Sequence, residues 1–147
     1  MSFARWATAI VACALLACAS HDRAEEKPHH RTELKGTSWQ LVEIRTADGQ
    51  VTRPDDPAKY TLEFGSEGRL SARIDCNRGT GTWKEERAGE LTFGPLATTR
   101  AMCPPDSLDA RFVRDLARVR SYVTEDGRLF LNLTADGEVY AFEPLAN

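Results

Sequence analysis

The sequence predicts a mostly β domain of the α+β type, a strongly curved antiparallel sheet or open barrel of seven to eight strands with one amphipathic helix closing an end. Three observations point there. Short apolar-alternating runs recur along the carboxyl-terminal hundred or so residues. Asp-Gly dipeptides at 48–49, 126–127 and 136–137 sit where such runs meet, the spelling of tight hairpin turns. One segment alone, Leu108, Phe112, Leu116 and Val119, carries a helical period instead.

Taken in order, "TSWQLVEIR" sets Trp39, Leu41 and Glu43 on one face against Gln40, Val42 and Ile44, and "ADGQ" turns it. After the proline-bounded loop "RPDDPA", the runs "YTLEF" and "RLSARID" flank "GSEG" as a second hairpin. "TGTWKEE" and "LTFG" flank "RAGE" as a third. Pro104 and Pro105 precede the helix, Asp106 is placed to cap it, and Asp109 adds negative charge to its first turn. "SYVTE", "RLFLNLT" and "VYAFEP" close the chain as a meander. Trp39 and Trp83 are large enough for a ligand platform, but in a small β domain they belong first to the core.

The amino terminus reads differently. Arg5 precedes the apolar run Trp6 to Ala17, about a dozen residues where a spanning helix needs about 20, so residues 1–17 read as a secretory signal. The run ends "LLAC", Leu15 to Cys18, which resembles the lipobox of bacterial lipoproteins. That resemblance implies cleavage after Ala17 and lipid on Cys18, a membrane anchor of several chains at about 0.8 kcal/mol per methylene. Ala19, not Asp, follows the cysteine, which in Gram-negative lipoproteins implies delivery to the outer membrane on its periplasmic face. Residues 18–33 then form a charged tether with Pro28, about 15 residues that reach roughly 50 Å when extended. Residues 34–147 form the domain.

With Cys13 leaving in the signal and Cys18 lipidated, Cys76 and Cys103 remain, and in an oxidising compartment they read most simply as one disulfide. In the chain-entropy model such a bridge contributes roughly 3 to 4 kcal/mol. The same cysteines leave a second reading open: a thiol-dependent enzyme or redox protein using Cys76, with Arg73 or Arg78 lowering its pKa. All three histidines, His21, His29 and His30, lie in the tether, which leaves the domain without a histidine general base. Cys76 and Cys103 alone are too few for a closed zinc site, and no metal or cofactor is expected. Gly79 and Gly81 read as backbone requirements of a loop after the bridge, since neither phosphate-loop nor dinucleotide spelling occurs.

The net charge of −3 lacks the basic stripe that a nucleic-acid partner requires. Arg111, Arg114 and Arg118 share one helix face and are candidate contacts for an anionic headgroup or acidic partner, although Asp109 and Asp115 interleave with them as on an ordinary solvated face.

"LKGTSWQL", "LEFGSEGRLSARIDCNRGTGTW", "LTFGPLATTRAMC", "FVRDLARVRSY" and "RLFLNL", in that order, resemble the META domain family, whose bacterial members include the heat-shock protein HslJ. Many members of that family have Gly where Ala72 and Asp75 stand in this sequence, and Tyr where Trp83 stands. The resemblance implies an antiparallel β domain with one helix and a link to envelope stress or drug tolerance, with no catalytic activity attached. The expected function is a lipid-anchored, non-catalytic binding module contacting an envelope protein or a small ligand. An inhibitor of a secreted hydrolase such as lysozyme is the alternative within that class.

Overall fold

The computed structural model describes residues 33–134 and 137–145. The expected signal at 1–17, Cys18, the three histidines and Asp136 of the expected last hairpin turn lie outside the described residues. Among the described residues ten strands and one α-helix, besides two single 3-10 turns at Pro57–Lys59 and Ser66–Gly68, follow in the order β1 (Thr37–Arg45), β2 (Val51–Thr52), β3 (Tyr60–Phe64), β4 (Arg69–Ile74), β5 (Asn77–Lys84), β6 (Thr92–Phe93), β7 (Ala97–Thr98), α1 (Asp109–Leu116), β8 (Val119–Glu125), β9 (Arg128–Leu133) and β10 (Val139–Pro144).

All pairings are antiparallel, and the sheet runs β6-β5-β4-β3-β1-β10-β9-β8, with β2 on β1 and β7 on β5. The two ends of this path meet: Glu90 bridges Ser121, the Leu91 amide donates to Arg120 O and the Tyr122 amide to Gly89 O. The sheet is thereby a nearly closed barrel, which hides edges that would otherwise pair with other chains. Three strands have only two residues, too short to leave a period-two signature.

Alternation builds the core. Tyr60, Leu62 and Phe64 point inward from β3, Leu70, Ala72 and Ile74 from β4, and Leu129, Leu131 and Leu133 from β9. In β1 the inward set is Trp39, Leu41 and Ile44, not Glu43. A bulge between Leu41 and Glu43, opposite β10, shifts the register and turns Ile44 into the core while Glu43 stays at the surface to pair with Arg45 and Arg53. Trp39 is in the core and Trp83 packs against it, edge-on to Phe64 with ring centroids 5.4 Å apart.

The helix is shorter than its sequence pattern. It starts at Asp109, with Leu108 in the capping position and the Ser107 hydroxyl accepting from the Asp109 amide, so Asp106 is not its cap. Val119 is buried, but as the first residue of β8. Phe112 is the helix's plug into the barrel end, packed on Tyr60, Tyr140 and Phe142 at centroid distances of 5.7, 6.2 and 6.3 Å.

Candidate functional site

At the β4–β5 turn, Asp75 and Cys76 connect Ile74 to Asn77, and Asp75 sits at φ 53°, in the left-handed region where a glycine would be unstrained. Cys76 is therefore a turn residue, and it is bonded to Cys103 across 27 positions with Cα atoms 5.5 Å apart. The expected disulfide is present. In this state Cys76 carries no thiol, so the nucleophile reading does not describe it.

Asn77, buried at the start of β5, explains the residue after the cysteine. Its carbonyl oxygen accepts from the Thr99 hydroxyl at 2.9 Å and the Ala101 amide at 2.8 Å, and its amide nitrogen donates to Ala101 O at 3.1 Å. The same nitrogen lies 3.3 Å from Cys103 Sγ. Thr99 is fixed further by the Arg78 amide, which donates to its hydroxyl, and by its own amide, which donates to Arg78 O. One buried amide and one disulfide thus hold residues 99–103 as a rigid strap with no regular secondary structure.

Gly79 and Gly81 are not loop residues. They lie within β5, where a Cβ on Gly79 would stand 3.0 Å from Leu96 Cδ2, and one on Gly81 3.0 Å from Pro95 O. Their absent side chains let the segment leading into β7 cross close over the strand.

The strap presents Met102 at 100% exposure. Beside it, between the strap and α1, runs a groove of about 520 Å³. Ile74, Ala101, Met102, Ala110 and Val113 give it apolar walls, and Arg100, Arg114 and Asp109 stand among them. A cleft of this size, mostly apolar with a few charged groups, has the dimensions of a small-molecule site.

The arginines singled out on the helix lie elsewhere in the energetics. Asp115, 0% exposed, is the buried centre of a cluster: the Tyr140 hydroxyl donates to it at 2.6 Å and Arg114 Nε at 2.9 Å, Arg118 lies at 3.3 Å and Arg111 at 3.5 Å. Arg111 and Arg118 also reach Glu138, at 2.9 and 3.2 Å. Burial opposes charge on Asp115, but the hydrogen bonds from Tyr140 and Arg114 and the surrounding cations outweigh it and hold its pKa below the ordinary 3.8. Tyr140 is pushed well above 10.0 by burial and by the Asp115 carboxylate. The face is not an ordinary solvated one: Arg111 and Arg118 are largely covered and committed to internal carboxylates, and Arg114 alone of the three is mostly exposed.

Comparison with known proteins follows from this geometry. The META domain family model matches residues 32–147. The chain belongs to the META domain family. No curated protein matches it. Among solved structures it resembles an NMR structure of a protein from Burkholderia xenovorans, at 23% identity and TM-score 0.67, covering 78% of this chain and 85% of that one. It also resembles a DUF4847 family protein from Bacteroides vulgatus, at 15% identity and TM-score 0.56, covering 74% and 92%. These likenesses concern the fold alone. In this chain, Cys76-Asn77 and Met102-Cys103 are thus two halves of one construction, the anchor and its strap.

Proposed function

We propose that this META-domain protein is a lipid-anchored binding module of the bacterial periplasm, held to the outer membrane through Cys18, that takes a small amphiphile with an anionic end into the groove beside the 99–103 strap. The observation that carries the binding reading is the strap itself. A disulfide and a buried asparagine hold a fully exposed methionine at the lip of an apolar groove, an arrangement that costs exposed apolar surface and returns nothing to the core. Arg100, which has no carboxylate at ion-pair distance among the described residues, supplies the charge that selects an anionic end, whereas Arg114 in the same lining is committed to Asp115. The lipobox spelling Leu15–Cys18 and the Ala19 that follows it support the anchor and its address. Binding, not covalent chemistry, is the role that would link such a module to envelope stress or drug tolerance.

Anilinonaphthalene sulfonate, apolar and anionic, is the probe. The full chain is expected to bind it saturably, and Ala110→Phe, which fills the groove from an exposed helix position, is expected to weaken binding about tenfold at unchanged melting temperature. Unsaturable fluorescence, or equal affinity in the variant, would remove the groove as the site. For the anchor, Cys18→Ser is expected to move the protein from the membrane pellet to the soluble fraction; retention in the pellet would refute lipidation as the tether.

A further inference from the structure

Most arginines among the described residues stand against a carboxylate: Arg45 and Arg53 on Glu43, Arg69 on Glu67, Arg87 on Glu90, Arg128 on Glu143, and the helix set on Asp115 and Glu138. Arg73 and Arg78 do not. They are directly opposite each other on β4 and β5, both exposed, with Arg73 donating to Ala58 O at 3.1 Å and no carboxylate at ion-pair distance of either among the described residues. Like charges directly across a ladder repel and destabilise it. Two guanidiniums held side by side also form a ready-made receptor for an oxyanion.

The surroundings fit that receptor. Register aligns Thr61, Arg73 and Arg78 in one row across β3, β4 and β5, and Glu63, Ser71 and Thr80 in the neighbouring row on the same outward face. Both arginines and all three hydroxyl residues line one groove of about 480 Å³. None of the three hydroxyls is bonded to another group among the described residues. Glu63, the acidic member of the lining, is the diagonal neighbour of Arg73 on the adjacent strand, about 7 to 8 Å away and outside ion-pair distance, and lies two strands from Arg78, on the order of 10 Å away. Two guanidinium forks and the Ser71 and Thr80 hydroxyls offer more donors than a carboxylate's two oxygens use, and suit the three or more oxygens of a phosphate group. We infer that the outer face of β3–β5 is a phosphate-binding site centred on the opposed pair Arg73 and Arg78, separate from the apolar groove beyond the strap.

The phosphate group could belong to a free ligand or to a lipid headgroup, and the experiment separates the two. Pyrophosphate is titrated calorimetrically into the full chain carrying Cys18→Ser, at ionic strength held constant with sodium chloride. Saturable one-site binding is expected, weakened about tenfold by Arg73→Gln or by Arg78→Gln and unchanged by Arg120→Gln, whose guanidinium is likewise without a carboxylate at ion-pair distance among the described residues but lies on β8. Arg78→Gln removes one of two opposed like charges, so its melting temperature should not fall, and Arg78→Lys should keep part of the affinity. In a parallel arm, phosphatidylglycerol vesicles are compared with phosphatidylcholine vesicles. Arg78-dependent vesicle binding that pyrophosphate competes away makes the source a lipid headgroup; pyrophosphate binding alone makes it a soluble phosphate compound. Absence of saturable pyrophosphate binding together with vesicle binding that Arg78→Gln retains, or absence of both, overturns the site. Equal pyrophosphate affinity in wild type and Arg78→Gln overturns it as well.

Discussion

Two polar clusters flank the helix, and they use arginine in opposite ways. Under α1, Arg111, Arg114 and Arg118 turn toward a fully buried Asp115, and Tyr140 and Glu138 complete the set. Around the disulfide, Arg73, Arg78 and Arg100 have no carboxylate at ion-pair distance among the described residues, and the polar groups that are buried there, chiefly Asn77, are spent on fixing backbone. A cluster whose charges are satisfied internally holds a fold together. A rigid frame that leaves its cations unpaired is available to a ligand. The same residue type thus marks a stabilising centre in one place and a receptive surface in the other, and the presence of a buried facing carboxylate distinguishes them.

The sharpest way to break this contrast is Asp115→Ala. It strands partly covered arginines and the Tyr140 hydroxyl, and is expected to lower unfolding free energy by about 3 to 5 kcal/mol in urea titration. Replacing both Cys76 and Cys103 by Ser should cost roughly 3 to 4 kcal/mol by the same assay, with the strap losing its order as well as the domain its stability. Asn77→Ala, which leaves the Ala101 amide and the Thr99 hydroxyl without their acceptor, should cost about 1 to 3 kcal/mol and also weaken dye binding, because it loosens the lip of the groove.

The helix cluster also has a pH signature. Asp115 is ionised more readily in the folded state than in the unfolded chain, so its contribution is present above the ordinary 3.8 and is lost as pH falls through its lower folded value. Tyr140 loses its proton less readily when folded, so its contribution is intact below 10.0 and declines as pH rises beyond that. Urea midpoints should fall at both extremes, with Asp115→Asn flattening the acid limb and Tyr140→Phe the alkaline one. Limbs unchanged in those variants would transfer the pH dependence to other groups. The smallest stability effect belongs to Arg100→Ala, within about 0.5 kcal/mol of wild type, since the residue is exposed and has no carboxylate at ion-pair distance among the described residues.

What the sequence made legible is local. The Asp48-Gly49 and Asp126-Gly127 turns, the strands they join and the single helix all follow from residue type and period. The pairing of β1 with β10, and the closure of β8 onto Glu90, join segments far apart in the chain, and no turn signal reaches that far. The bulge that exchanges Glu43 for Ile44 breaks strict alternation by one residue, so alternation alone sets Glu43, not Ile44, on the face of Trp39 and Leu41. The disulfide was readable from compartment and cysteine count, but Asn77's part was not, because its partners lie 22 and 24 positions away. The buried Asp115 did leave a trace: arginines at positions 111, 114 and 118 place three cations within one helical turn of a single carboxylate that adjoins Leu116. Read as interleaved surface charge, the pattern conceals a centre.

The division of labour between the two clusters is tested most directly by measuring dye affinity and unfolding free energy together on two variants of the full chain. Arg100→Ala should lose affinity about tenfold with unfolding free energy unchanged, and Asp115→Asn should lose stability while the affinity of the folded protein stays at the wild-type value. If both variants change both quantities alike, or if Arg100→Ala leaves affinity untouched, the strap is not a receptive surface and the contrast between the two clusters fails.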